Sequence, residues 1–139
     1  MNKILVDSSV IIDVFEDTPE WAEWSTDALI NCSRDYSMMI NDIIYSEISL
    51  AFNKVSQLDS ALEEAGLKVE RIPREALMAA GKVFLLYRKN KGHKTYTLPY
   101  FFIGAHAQAL NIPLLTRDTR RIKTYFPGIK IISPETFVK

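Results

Sequence analysis

Asp7, Glu47 and Asp118 are the carboxylates whose neighbours point to chemistry rather than solvation. Asp7 ends a short apolar, β-branched run, Lys3 to Val6, and Asp118 lies just past a second expected strand, Pro113 to Thr116. If both runs are strands of one parallel sheet, the two side chains emerge at the same edge, where such sheets bind ligands. Glu47 lies in IIYSEIS, flanked by Ile44, Ile48 and Ala51, and helical spacing then turns it inward. Three converging acids repel one another unless a cation compensates them, and hard oxygen ligands suit Mg²⁺ or Mn²⁺, ions that handle phosphate esters. Each acid also has a plainer role open to it. Asp7 can cap the following helix, Asp118 can hold a turn by pairing with Arg121, and Glu47 can be a solvated helix residue.

Other chemistries lack their residues. No GxGxxG follows a strand, no GxxxxGK[ST] is present, and the five glycines are scattered, so a phosphate-cradling loop is not expected. A phosphatase-like nucleophilic Asp needs a second acid two residues on, whereas Asp7 is followed by Ser8 and Ser9. His93, in a basic loop, and His106, among small residues, read as surface or packing rather than zinc ligands. Trp21 and Trp24 read as core or interface anchors, and Tyr100, Phe101 and Phe102 as helix packing. Cys32 is the only cysteine, which excludes an internal disulfide and a Cys-based metal cluster and fits the cytoplasm. The N-terminus is interrupted by Asp7 and Asp13, and no apolar run approaches ~18 residues, so neither secretion nor membrane spanning is expected.

The 139 residues, 47% apolar and 24% charged, suit one domain. Net charge is zero, but the halves are opposite: residues 1 to 70 carry fourteen acids and four bases, and the remainder three acids and thirteen bases. An acidic site beside a basic surface follows. Along the chain, strand Lys3 to Val6 leads into a helix capped by Ser8 or Ser9 and running to Glu16. Thr18-Pro19 signals a helix start, with a break expected at NCSRD. Strand Tyr36 to Ile40, a helix from Asp42 to Phe52, a helix from Gln57 to Ala65 stopped by Gly66, and strand Leu67 to Ile72 follow. Pro73 and Pro99 each start a helix, on either side of a polar loop, Gly92 to Thr97. The strand in IPLLT, a short basic helix in TRDTRRIKTYF, strand Ile129 to Ile132 and a helical end after Pro134 complete the pattern. Strands alternating with helices predict an α/β fold with a parallel sheet covered on both faces.

VDSSVIID, IIYSEIS, LPYFFIGAHA and LLTRDTRRIKTYFPGIKII, in that order and across nearly the whole chain, resemble the PIN-domain nucleases, and within them the VapC-type toxins. The resemblance implies a single three-layer α/β/α domain over residues 1–139 with a mostly parallel sheet. It implies an endoribonuclease toxin of a type II toxin–antitoxin system, dependent on Mg²⁺ or Mn²⁺ and silenced by a VapB-type antitoxin. Asp7, Glu47 and Asp118 become metal-site acids, with Ser8, Ser9 and Thr116 as supporting hydroxyls. One position departs: where the family has an aspartate before FFIGAHA, this chain has Tyr100. A neutral, bulky phenol replaces a carboxylate there, so metal binding and cleavage are both expected to suffer. Asp42 reads as a helix N-cap rather than a substitute acid. Arg117, Arg120, Arg121 and Lys123, with Arg88, Lys89, Lys91 and Lys94, are candidates for the RNA backbone. The large apolar residues Trp21, Trp24, Tyr45 and Phe52 suggest a homodimer with a groove for an antitoxin segment. The alternative is a catalytically inactive PIN-fold module that binds antitoxin or RNA without cutting.

Overall fold

The computed structural model of the chain describes residues 1–89 and 98–134, apart from the side chain of Arg121. The strands are β1 (Asn2–Val6), β2 (Tyr36–Ile40), β3 (Lys68–Val69), β4 (Leu114–Leu115) and β5 (Ile131–Ile132). The helices are α1 (Ser8–Phe15), α2 (Ala22–Asp35), α3 (Asp42–Ile48), α4 (Val55–Ala65), α5 (Arg74–Lys89), α6 (Leu98–Leu110) and α7 (Arg120–Tyr125). All pairings are parallel, in the order β3-β2-β1-β4-β5. The chain winds outward from β1 through β2 to β3, then crosses back to β4 and β5. Right-handed crossovers running in opposite directions place their helices on opposite faces, which makes the three layers. The winding reverses between β1 and β4, where Leu5 pairs with Leu114 and Val6 with Leu115. A crevice opens at such a reversal, beyond the strand ends.

Ile4, Leu5, Val6, Met39, Ile40, Leu114 and Leu115 are completely or almost completely buried, so the central strands are apolar on both faces, as a covered parallel sheet requires. Phe101 on α6 gathers the rings of Phe84, Tyr87, Tyr125 and Phe126 around it at 5.4–6.5 Å. Gly104 lets α6 close on that cluster: a Cβ there would overlap the Phe126 ring. Gly104→Ala is therefore expected to destabilise the fold by about 2 kcal/mol, the cost typical of an overpacked core. A urea titration with an unchanged midpoint would remove this account of Gly104.

Several boundaries differ from the sequence expectation, each for a physical reason. Helix α2 runs through NCSRD, because Ser25, Ala28 and Cys32 continue one buried stripe while the polar residues face outward. Pro19 does not begin that helix; the Thr18 carbonyl accepts from Trp21 and Ala22 in a turn ahead of it. Helix α3 is capped by Asn41, whose Oδ1 accepts from the Ile44 amide at 2.9 Å, so Asp42 is its first residue rather than its cap. It ends at Ile48, and the remainder of the expected helix is a 3-10 turn, Ser49–Ala51. Gly66 does stop α4 in the left-handed conformation, with φ of 75°. Strand β3 is only Lys68–Val69, since it is an edge whose sole neighbour, β2, ends at Ile40. The Gly92 to Thr97 loop, His93, Lys91, Lys94 and the helical end after Pro134 lie outside the described residues. Among the described residues no helix is long and apolar enough to cross a membrane.

Candidate functional site

Asp7 is the hinge of the site. It follows β1, and its backbone N–H donates to the Leu115 carbonyl of β4 at 2.9 Å, which places it at the reversal point. It is also the N-cap of α1, accepting from the Ser8 amide at 2.9 Å, so the capping role falls to Asp7 rather than Ser8 or Ser9. Its second carboxylate oxygen accepts from the Ser9 hydroxyl and from the Thr116 hydroxyl, both at 2.8 Å. A cap needs only the first of these contacts. The other two join α1 to the loop after β4 and converge on a carboxylate that is 8% exposed. Burial raises its pKa above the ordinary aspartate value; the three hydrogen bonds oppose the rise, and the charge of Asp118 adds to it.

Glu47 reaches the same cleft from α3, half-buried, with Oε1 buried and lacking a hydrogen-bond partner. Burial raises its pKa too, opposed by a hydrogen bond from the Ser8 side chain and reinforced by the charge of Asp7. Asp118 sits in the loop between β4 and α7, its amide held by the Thr116 hydroxyl at 3.1 Å. Tyr100 occupies the first turn of α6, and its phenol donates to the Asp118 carbonyl at 3.4 Å. Asp7, Ser8, Ser9, Glu47, Tyr100 and Asp118 line one cleft of about 530 Å³, with Arg117 and Arg120 at its side.

The donor set fits a hard divalent cation in kind. Carboxylate and hydroxyl oxygens converge, and Glu47 Oε1 is a buried acceptor without a donor, which a cation would satisfy. The number is short: among the described residues no three of His, Cys, Asp and Glu come together closely enough to hold a metal ion. Sequence reasoning missed Asp13, which is completely buried and accepts from Arg117 through both oxygens, at 2.6 and 2.9 Å, and from Ser25 at 2.7 Å. It also missed Asn41, whose amide nitrogen is 3.0 Å from Nδ1 of the fully buried His106. His106 is thus a packing residue, with a pKa lowered by burial. Cys32 is buried as well, its thiol pushed up to about 11 mainly by desolvation.

A doubly wound α/β domain places its ligand cleft at the reversal point, and in this chain that cleft is acidic and supported by hydroxyls. The profile of the PIN domain matches residues 4–127, and the chain belongs to that family. Solved structures agree on the fold. VapBC2 from Rickettsia felis, bound to a DNA fragment from its promoter, is similar with a TM-score of 0.72 and 15% identity, over 94% of this chain and 98% of that one. DNA-bound VapBC from Salmonella typhimurium is similar with a TM-score of 0.67 and 20% identity, over 96% and 98%. A toxin–antitoxin complex from Klebsiella pneumoniae gives 0.63 and 22%, over 94% and 97%. No curated protein matches the chain in sequence.

Proposed function

We propose that the chain is a VapC-type endoribonuclease of a type II toxin–antitoxin system, with a Mg²⁺ or Mn²⁺ site weakened by Tyr100. The observation that carries the reading is the junction at Asp7: one buried carboxylate tied to Ser9 and Thr116, in the same cleft as Asp118 and the unpartnered oxygen of Glu47. A solvated or merely structural set of acids would have no reason to share one cleft at the reversal point. Asp7, Glu47 and Asp118 are the carboxylates that would have to draw closer together around the ion, which when bound would supply a Lewis acid for phosphodiester hydrolysis. The Ser9 and Thr116 hydroxyls keep the Asp7 carboxylate in one orientation, and burial keeps bulk water from screening it. Arg120 lines the cleft and Lys123 is exposed on the same helix, and the two would supply charge for an RNA backbone. Arg117 is already paired with Asp13.

The solved structures of similar fold are titled as VapBC or toxin–antitoxin complexes, which supports a VapB-type antitoxin as partner. Trp21, Trp24, Tyr45 and Phe52 are each half-buried, and Leu50, Val55 and Met78 are 91%, 69% and 68% exposed; a second copy of the chain or an antitoxin segment would cover them. A catalytically inactive binding module is the second reading, favoured by the absence of a three-acid cluster among the described residues and by the phenol in the cleft. Incubating the purified chain with a structured RNA, in Mn²⁺ and in EDTA, separates the two. Slow cutting that requires Mn²⁺ and stops on adding the cognate antitoxin is expected. An RNA left intact by both this chain and its Tyr100→Asp version would leave the binding module standing.

A further inference from the structure

Arg117 sits in the loop that carries the site, between Thr116 and Asp118, yet its guanidinium leaves the cleft chemistry for a different partner. Asp13, on α1, is completely buried, and a buried carboxylate persists only with full compensation. Its Oδ2 accepts from Arg117 Nε at 2.6 Å and from the Ser25 hydroxyl at 2.7 Å, and its Oδ1 accepts from Arg117 Nη2 at 2.9 Å. The two parallel N–H bonds make a fork that fixes the plane of the guanidinium. The indole of Trp21 completes the setting, with the guanidinium carbon 5.2 Å from its centroid. Helices α1 and α2 thereby grip the loop after β4 through one side chain.

The same loop is gripped a second time, one residue earlier. The Thr116 hydroxyl donates to Asp7 at 2.8 Å, and the Thr116 amide donates to the Ile132 carbonyl of β5 at 3.0 Å. Asp7 and Asp13 stand at the two ends of α1, so a single rigid helix holds consecutive residues of the loop from two points. With Thr116 and Arg117 both fixed, the backbone leading into Asp118 has little freedom left. We infer that Asp13 is a positioning residue for the candidate site, acting through Arg117 to set where Asp118 lies, and that Arg117 is not an RNA contact. This rests on the endoribonuclease reading for its activity arm only, since the geometry involves the chain's own residues.

Two measurements test it. In the chain as written, Asp13→Asn breaks the fork by turning an amide donor toward one guanidinium N–H. The backbone amide resonances of Thr116 and Asp118 are expected to shift more than those at the opposite end of the sheet. In the Tyr100→Asp chain, Asp13→Asn and Arg117→Gln are each expected to lower kcat on a short RNA by about 10- to 100-fold, the range seen when a group orienting a site residue is lost. KM should stay within a factor of about two, and the salt dependence of RNA binding should be unchanged, whereas loss of a phosphate contact lowers that slope by about 0.7 to 0.9. If the single variants misfold, the double variant Asp13→Asn/Arg117→Gln, which buries no unpaired charge, makes the comparison. A fall in salt slope with kcat retained would assign Arg117 to RNA and overturn the inference. So would unmoved Thr116 and Asp118 resonances. If the Tyr100→Asp parent itself never cuts RNA, the endoribonuclease reading fails, and the resonances still decide the role of Asp13.

Discussion

Tyr100→Asp is expected to raise Mg²⁺-dependent RNA cleavage by about 100-fold or more and to make expression of the chain toxic unless the antitoxin is present. The phenol stands in the first turn of α6, in the wall of the cleft that Asp7, Glu47 and Asp118 share. A carboxylate about 4 Å from a divalent ion contributes on the order of 4 kcal/mol per unit of cation charge at an effective dielectric of about 20. Relaxation and water offset part of that, and a remainder of roughly 3 kcal/mol corresponds to about 100-fold in ion affinity. The site also favours the change locally, because a carboxylate in the first turn of a helix complements the helix dipole. Charge and volume can be told apart. Tyr100→Ala clears the ring without adding an acid, and should leave cleavage low, while Tyr100→Asp should tighten Mn²⁺ binding in a calorimetric titration. Equal gains from Ala and Asp would mean that the phenol blocks access and that no ligand is missing. No gain from either would remove position 100 from the site.

How far the site could be read in the amino-acid order depended on the distance over which its determinants act. Asp7 and Asp118 were visible because each follows an apolar run, and strand ends in a doubly wound sheet are where such acids gather. The order of elements and the stop at Gly66 were visible for a similar reason, since burial on both faces and a left-handed residue leave local marks. The grip of Asp13 on Arg117 has no local mark at all. The partners are 104 residues apart, and each taken alone is an ordinary charged residue, so Arg117 read as one more cation for RNA. The cap of α3 went to Asn41 instead of Asp42 for a tertiary reason, as the Asn41 amide also faces the buried His106. Strand β3 is shorter than the expected Leu67 to Ile72 because an edge strand extends only as far as its neighbour offers partners. Asp7 is both cap and candidate ligand, so its place after an apolar run and before Ser8 and Ser9 bears the marks of either role.

That doubled role makes a prediction in which stability and activity move in opposite directions. The pKa of Asp7 is raised by burial, with Asp118 adding to the rise. A carboxyl whose folded pKa exceeds its unfolded value holds its proton more tightly in the folded state. Its contribution to stability is therefore complete below the unfolded value of about 3.9 and is lost as pH climbs through the folded pKa. Above that window the folded chain carries a buried charge that its three hydrogen bonds offset in part and an added cation would relieve further. Asp7→Asn removes the charge but keeps an acceptor for the Ser8 amide, and its own amide can donate to the Ser9 and Thr116 hydroxyls, which are able to accept. The variant should melt a few degrees higher than the parent at pH 7.5 in EDTA, and the difference should vanish toward pH 3.5. It also takes a like charge away from Glu47, whose pKa Asp7 helps to raise, which adds to the gain. In the Tyr100→Asp chain the same change should lower cleavage by about 100-fold or more, because a ligand of the ion is gone. Added Mn²⁺ should then stabilise the Tyr100→Asp parent and not the Asp7→Asn variant made in it, since only the parent offers the buried charge that the ion relieves. A lower melting temperature for Asp7→Asn at neutral pH, together with undiminished cleavage in the Tyr100→Asp chain, would make Asp7 a helix cap and nothing more.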